Sequence, residues 1–518
     1  MFPFPTRKER PLLGMTGYGG GAGGLAAGGG VAPGISATGG DATNTYEAPD
    51  GQAYKCHIFT SSGSLVVSDV GALGAECEFV VVGGGGGAAN QHSGAGGAGG
   101  YRSSVVGELS GGPASSGTNA NDGTTWSAGV TAAAPGGFDK PAANAFTGNC
   151  DNTTRLMTTG DGCLVTMDFS PNPITVDAGG EVIIYQEGAT PCPSCYYGGV
   201  ATITVSGTPY TSGSTPGSWA IGGRVVHPFT IPGGGSLTQA TCIGGPGGRT
   251  YIEGMSVNGI MLQDGVDGGN GIGAGAEDVQ VLTATTYPVV IGAGGAGSTP
   301  GPNGGSPKGS YGGTTTFNGV SPIIAMGGGG SGNWSSTGDL RRGNWGGSGG
   351  GGSSYTGSPG APESAGNGTV GQGYPGGNGS PGPLAHIGGG GGGAGAAGEN
   401  CTGTDSTDTT GGGGGDGRGT LIMGQTYTTS GTPGPGPGRW FAGGGGSGFY
   451  NPTTPTLGQG GAGGGANGLQ GPTPANGVAG TINTGGGGGG SIDFSAGEGG
   501  AGGPGIVMLR YKISPAQM

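Results

Sequence analysis

Phe79-Val-Val-Val-Gly-Gly-Gly-Gly-Gly87 reads as a strand that runs without a turn into glycine. Three β-branched residues behind an aromatic favour an extended, buried strand. The five glycines that follow have little helix propensity, bury no side chain and leave nothing to keep another backbone away. The same grammar recurs at Tyr287-Pro-Val-Val-Ile-Gly-Ala-Gly-Gly295 and Ala325-Met-Gly-Gly-Gly-Gly330. It appears reversed at Gly502-Gly-Pro-Gly-Ile-Val-Met-Leu-Arg-Tyr511. Glycine supplies 145 of the 518 residues and proline another 36, while charged residues make up only 9%. That composition excludes an ordinary helical enzyme, which needs Leu-rich, charged segments, and equally a charge-driven disordered chain.

Outward from this stretch the chain divides into segments. Residues 1–50 hold Arg7, Lys8 and Arg10 and then a Gly/Ala tract, Gly17 to Gly40, so they read as an attachment arm without a core. Residues 51–110 form the first part of a glycine-rich β module. Ala53–Thr60 and Ser64–Val70, separated by Ser61-Ser-Gly63, are expected to pair as a hairpin. Residues 111–258 thin out in glycine and read as an inserted β domain. Its strand candidates are Cys163–Phe169, Glu181–Tyr185, Val200–Val205 and Val225–Ile231. The module resumes over 259–326, and 504–518 carry a closing strand.

Residues 327–503 are the densest in glycine, with 70 in 177 positions and unbroken runs such as Gly388–Gly393 and Gly485–Gly490. Collagen register fails on such runs, and a flexible Gly/Ser linker, the alternative reading, is disfavoured by the strands on both flanks. Polyglycine II satisfies both. It is an extended helix of three residues per turn, with no internal hydrogen bonds, that bonds laterally to its neighbours. The expected fold class is therefore all-β with a polyglycine II lattice, an inserted β domain and very little α-helix.

A lattice buries few side chains, so recognition chemistry falls to the excursions between runs. Those contain Trp334, Arg341, Arg342, Trp345, Tyr355, Tyr374, Arg439, Trp440, Phe441, Phe449 and Tyr450, rich in the residue types that dominate binding hot spots. Each could instead plug a lattice end; as a set they read as a receptor- or partner-binding surface.

Catalytic and cofactor motifs are absent or produced by composition. At this glycine content GxGxxG is expected by chance on the order of ten times. Gly346-Gly-Ser-Gly-Gly350 has no helix after it to make a nucleophile elbow. The four histidines, His57, His92, His227 and His386, are scattered. Cys192-Pro-Ser-Cys195 lacks the second C-x-x-C of a zinc ribbon, so disulfides or buried thiols are the expectation for the cysteines. Asp264, Asp267 and Asn270 share a spacing of three without a calcium-loop pattern and read as a solvated turn. No enzyme activity, cofactor or metal is expected. The net charge of −13 and the absence of Arg-Gly-Gly argue against nucleic acid, and no apolar run is long enough to span a bilayer. The N-terminal residues show no apolar core of a secretory signal.

The order of these motifs, with Gly96-Gly-Ala-Gly-Gly-Tyr-Arg102 and Gly312-Gly-Thr-Thr-Thr-Phe317 between them, resembles the glycine-rich domain of tailed-phage structural proteins over about 51–110 and 279–512. The polyglycine block resembles the tips of phage tail-fibre adhesins, where such helices carry variable receptor-binding loops. The resemblance implies a non-enzymatic external virion protein, a tail fibre or tail-tip adhesin in contact with a host receptor. It also implies a homotrimer attached to other virion proteins through residues 1–50. A capsid decoration or capsid-fibre role is the alternative.

Overall fold

The computed structural model describes residues 32–112 except 50, parts of 126–262, and 277–518. Within that last span 300–306, 321, 336–337, 355–363, 370, 381–386, 403–409, 449–456, 470–474 and 492–496 are not described. In chain order the strands begin with β1 (Ser36–Thr38), β2 (Ala42–Glu47), β3 (Ala53–Phe59), β4 (Gly63–Asp69), β5 (Glu76–Val82) and β6 (Tyr101–Ser103). The insert supplies β7 (Val130–Ala132), β8 (Phe138–Lys140), β9 (Leu156–Asp161), β10 (Leu164–Asp168), β11 (Ile174–Val176) and β12 (Gly180–Glu187). It continues with β13 (Val200–Val205), β14 (Thr208–Thr211), β15 (Arg224–Ile231), β16 (Gly235–Ile243), β17 (Arg249–Val257) and β18 (Ile260–Met261). Then come β19 (Gln280–Val281), β20 (Thr286–Val290), β21 (Thr315–Asn318), β22 (Pro322–Ala325), β23 (Arg418–Thr420), β24 (Arg439–Phe441) and β25 (Ile506–Ile513). Among the described residues strands account for 34% and helices for 3%, with no helix of seven residues or more, so the fold is all-β as expected.

Two antiparallel sheets form the base. One has the order β1-β4-β20-β21-β22 and the other β19-β5-β25-β3-β2, with β6 added on β5. They pack face to face over Leu65, Val289 and Phe317 from the first sheet and Phe79, Val81 and Leu509 from the second. The opposite face of the second sheet is also covered, since Cys56, Val80, Val82 and Met508 lie beneath Tyr101, Ile422, Met423 and Phe441. Burial on both faces is why Phe79–Val82 is continuously apolar instead of alternating. The expected 53–70 hairpin does not form. β3 pairs with β2 and β25, whereas β4 pairs with β1 and β20 in the other sheet. The intervening turn instead carries the chain between sheets, held by the Asp41 carboxylate. That carboxylate accepts the Thr60 and Ser61 backbone N–H groups at 2.7 and 2.8 Å. Nor are residues 1–50 wholly an arm: Ile35 and Ala37 enter the core between the sheets, and β2 is a full ladder partner of β3. Residues 1–31 lie outside the described residues.

The insert is a separate sandwich of two sheets, β14-β13-β16-β10-β7 with β11 on β16, and β15-β12-β17-β9-β8 with β18 on β17. Its own core includes Trp126, Phe169, Ile184, Ile203 and Leu237, and extends to Leu262, four residues past the expected boundary. The base draws its two ends together. Glu277 accepts from Arg102 and Ser110 side chains, and its N–H donates to the Ser103 carbonyl.

Beyond the base, glycine runs pack side by side. Run 83–88 shows the rule. Gly83 and Gly86 donate to the carbonyls of Gly100 and Gly97, Gly84 and Gly87 to Gly313 and Ser310, and Gly85 and Ala88 to Gly503 and Gly500, all within 2.8–2.9 Å. Its carbonyls accept in the same rhythm from Gly328 and Ser331, from Gly295 and Ser298, and from Gly488. Every third residue addresses the same neighbour, as three residues per turn requires, and no bond runs within the run. None of Gly83–Gly87 has positive φ. The polyglycine II lattice is thus present, but it is not confined to 327–503: segments 83–100, 292–299 and 307–313 belong to it. The close approach needed for the lateral bonds decides the sequence. A Cβ on Gly86 would collide with the Gly329 carbonyl oxygen, and one on Gly390 with that of Gly413.

We expect Gly86→Ala and Gly390→Val each to destabilise the protein by at least about 2–3 kcal/mol, in the range of a core forced to overpack. Gly233→Ala, where a Cβ meets nothing within 4 Å, should leave the melting temperature unchanged in the same thermal scans. A pH dependence is also expected. Burial holds His227 down at about 4 and lowers His57 as well. An imidazole kept neutral in the fold takes up a proton on unfolding. The stability it contributes is therefore full above its unfolded value near 6.5 and is lost as pH falls towards 4. The melting temperature should drop between pH 7 and pH 5 by the equivalent of about 1–2 kcal/mol, and His227→Gln should shrink that drop.

Candidate functional site

The lattice has two unlike ends. Run 83–88 leaves the base after Val82 and the chain returns along 94–100 to Tyr101. Bonding to these two runs, direct or through a neighbouring run, gives the direction of the other described runs. The connections at the base end are mostly tight, as at 369–372, 394–396 and 462–464. At the far end the described runs break off beside most of the longer connections, among them 299–308, 333–342, 355–363, 402–410 and 449–457. A long connection on the base side is 418–441, which forms the ribbon β23–β24 and packs its Ile422, Met423 and Phe441 onto the second base sheet.

This arrangement splits the residues that the sequence grouped as one binding surface. Trp334, Arg341 and Arg342 lie at the far end. Arg342 is exposed and Trp334 half-buried, whereas Arg341 is buried and donates to the Ser335 carbonyl at 2.9 Å. Tyr355, Phe449 and Tyr450 lie outside the described residues. Trp345 is not part of an exposed surface: it is buried against Met326 and Ile324 on the flank of the lattice. Tyr374 is half-buried within a run, and its carbonyl accepts from Gly349. Arg439, Trp440 and Phe441 belong to the base-side ribbon, with Phe441 fully buried. Packing overrides the aromatic signal at Trp345 and Phe441, because a bulky ring next to side-chain-free glycine has apolar base residues to cover.

The base-side connection borders a cleft of about 740 Å³. Its walls come from the end of β2, the 105–109 turn, β23 and Trp440. The sequence reading did not identify this place, since its residues come from separate segments, Tyr46 and Arg510 being 464 positions apart. Arg510 in β25 anchors its floor: its Nε donates to Glu78 at 2.7 Å, its Nη1 donates to Tyr46 Oη at 2.8 Å, and its guanidinium lies 4.6 Å from the Tyr54 ring centre. Tyr46 in turn donates to the Ile422 carbonyl at 2.9 Å, and burial pushes its hydroxyl up to about 12. Glu108 accepts from Leu421 N–H at 2.8 Å, Thr420 Oγ1 at 3.0 Å and Ser103 Oγ at 3.1 Å, and burial raises its carboxyl. Trp440 lies across its cross-strand partner Gly419, and a Cβ on Gly434 would collide with its indole.

Among the described residues no group of three His, Cys, Asp or Glu side chains could hold a metal, and no helix is long and apolar enough to cross a membrane. Cys56, Cys77 and Cys242 are free and buried, and Cys401 is free and partly buried. Cys150, Cys163, Cys192 and Cys195, the Asp264–Asn270 group and His386 lie outside the described residues.

The model of a glycine-rich domain family matches residues 223–512, more than half of the chain. The chain belongs to the glycine-rich domain family. The family match begins at the insert's β15 and ends within β25, so in this glycine-rich domain protein it takes in most of the lattice and the closing strand but not run 83–100. No curated protein and no solved structure matches.

The two fates of the aromatics are separable. Trp345→Ala should cost about 3–4 kcal/mol, as loss of a buried aromatic does, while Arg342→Ala should change stability by less than about 0.5 kcal/mol. Chemical denaturation of both variants measures the difference.

Proposed function

We propose that this protein is a non-enzymatic structural component of a bacteriophage particle, an external appendage of the tail-fibre or tail-tip class that presents its loop end to the host surface. The observation that carries this reading is the polarity of the lattice: tight turns and a sandwich at one end, most of the long connections at the other. A hydrogen-bonded backbone lattice is a stiff support whose connecting loops can change without touching its packing. The sequence resemblance to phage glycine-rich proteins supplies the virion setting. The reading includes attachment to other virion proteins through the segment before Ile35, and three-fold assembly by the same resemblance.

A capsid decoration role is the second reading. It is favoured by the burial of Trp345, Arg341 and Phe441, which leaves fewer large side chains for a receptor than the sequence promised.

Antibodies to a peptide spanning 338–344, which carries the exposed Arg342, distinguish these readings on phage particles. Labelling at the tail end together with blocked adsorption is the expected result. Labelling spread over the capsid would replace the adhesin with a decoration protein, and particles that carry no label would overturn the virion assignment.

A further inference from the structure

The base-side cleft has a chemistry of its own, which does not rest on the virion reading. Its volume of about 740 Å³ lies within the range of sites that enclose small ligands, roughly 300–1,000 Å³. Its charged lining is balanced. Arg418 and Arg510 line it together with Glu47 and Glu108, and Arg510 is already committed to Glu78. A strongly charged ligand would meet charge of its own sign here, so electrostatics select against it.

Between the charges, Val105, Leu421 and Trp440 provide apolar wall. Arg418 supplies the second observation. Its Nε–H is buried and hydrogen-bonds nothing among the described residues. An unpaired buried donor costs about 1–3 kcal/mol, and a small turn of the guanidinium toward the cleft it lines, where an outside acceptor can meet it, relieves that cost. Glu108 lies alongside, its carboxylate oriented by Leu421 N–H and Thr420 Oγ1. Ligands that combine vicinal donors and acceptors with an apolar ring face, and carry no net charge, are neutral saccharides.

We propose that the cleft between β2, the 105–109 turn and the β23–β24 ribbon is a binding site for a neutral saccharide, with Arg418 donating to its hydroxyl oxygens and Trp440 forming the apolar wall.

The test uses the full chain and saturation-transfer NMR with maltotriose, cellotriose and chitotriose as neutral probes, and glucuronic acid and glucosamine as charged ones, each at ~1 mM, suited to affinities near that value. Transfer to at least one neutral trisaccharide, weakened about tenfold by both Arg418→Met and Trp440→Phe, is the expected result. Melting curves of the two variants check that they remain folded. If either variant fails to fold, competition by the same trisaccharide against covalent labelling of Glu47 and Arg418 in the unaltered protein takes its place, and protection of both is expected. Transfer to no neutral probe, binding that both folded variants retain in full, preference for a charged probe, or labelling without protection would each overturn the proposal.

Discussion

Everything beyond the base depends on one contact: a backbone N–H of one extended run meeting the carbonyl of the next, at a spacing that leaves no room for a Cβ. Gly86 and Gly390 make the constraint concrete, because neighbouring carbonyl oxygens occupy the space their side chains would fill. The energetics are closely balanced. Fixing a glycine backbone costs about 1–2 kcal/mol of conformational entropy or somewhat more, and a lateral hydrogen bond returns about 0.5–1.5 kcal/mol net. A lattice with so little apolar surface is not self-supporting on those terms. The hydrophobic share comes from the base, where the second sheet is covered on both faces and the strands feed directly into the runs.

That dependence explains the placement of the larger side chains. Tyr101, Ile422, Met423 and Phe441 are all at the base end, where they extend the core into the first turns of the lattice. Arg510 and Glu78, on adjacent strands, join this layer to Tyr46 and through it to the 418–441 connection. Segment 418–441 is thus as much a lid for the second sheet as a wall for the cleft.

Much of the architecture was legible in the sequence, for physical reasons. Apolar runs ending in glycine revealed strands that become lattice, and thinning glycine revealed the insert. The closing strand expected within 504–518 is β25. What failed was pairing. Ser61-Ser-Gly63 has the composition of a hairpin turn, but Phe59 and Leu65 both face the space between two sheets, and the chain reaches that arrangement by crossing from one sheet to the other. The extent of the lattice was likewise hidden, since run 83–88 looks like a local loop until its neighbours from 292–313 and 485–503 are known. For the same reason the cleft could not be read: Tyr46, Glu108, Arg418 and Arg510 share no spacing. The aromatics announced that something would be covered, not what would cover it.

β25 lies between β3 and β5, pairing with Ala53–Phe59 on one side and Cys77–Val82 on the other. Strands near the start of the chain therefore stay apart until residues 506–513 have been synthesised, and run 83–88 waits for most of its neighbours over the same interval. Folding dominated by such distant pairings is slow, because loop closure must precede any gain from contact. The arrangement makes closure of the second sheet depend on translation through residue 513. A ribosome that stops anywhere before Ile506 releases a polypeptide whose second sheet lacks its central strand, and with it the layer that both faces of that sheet cover.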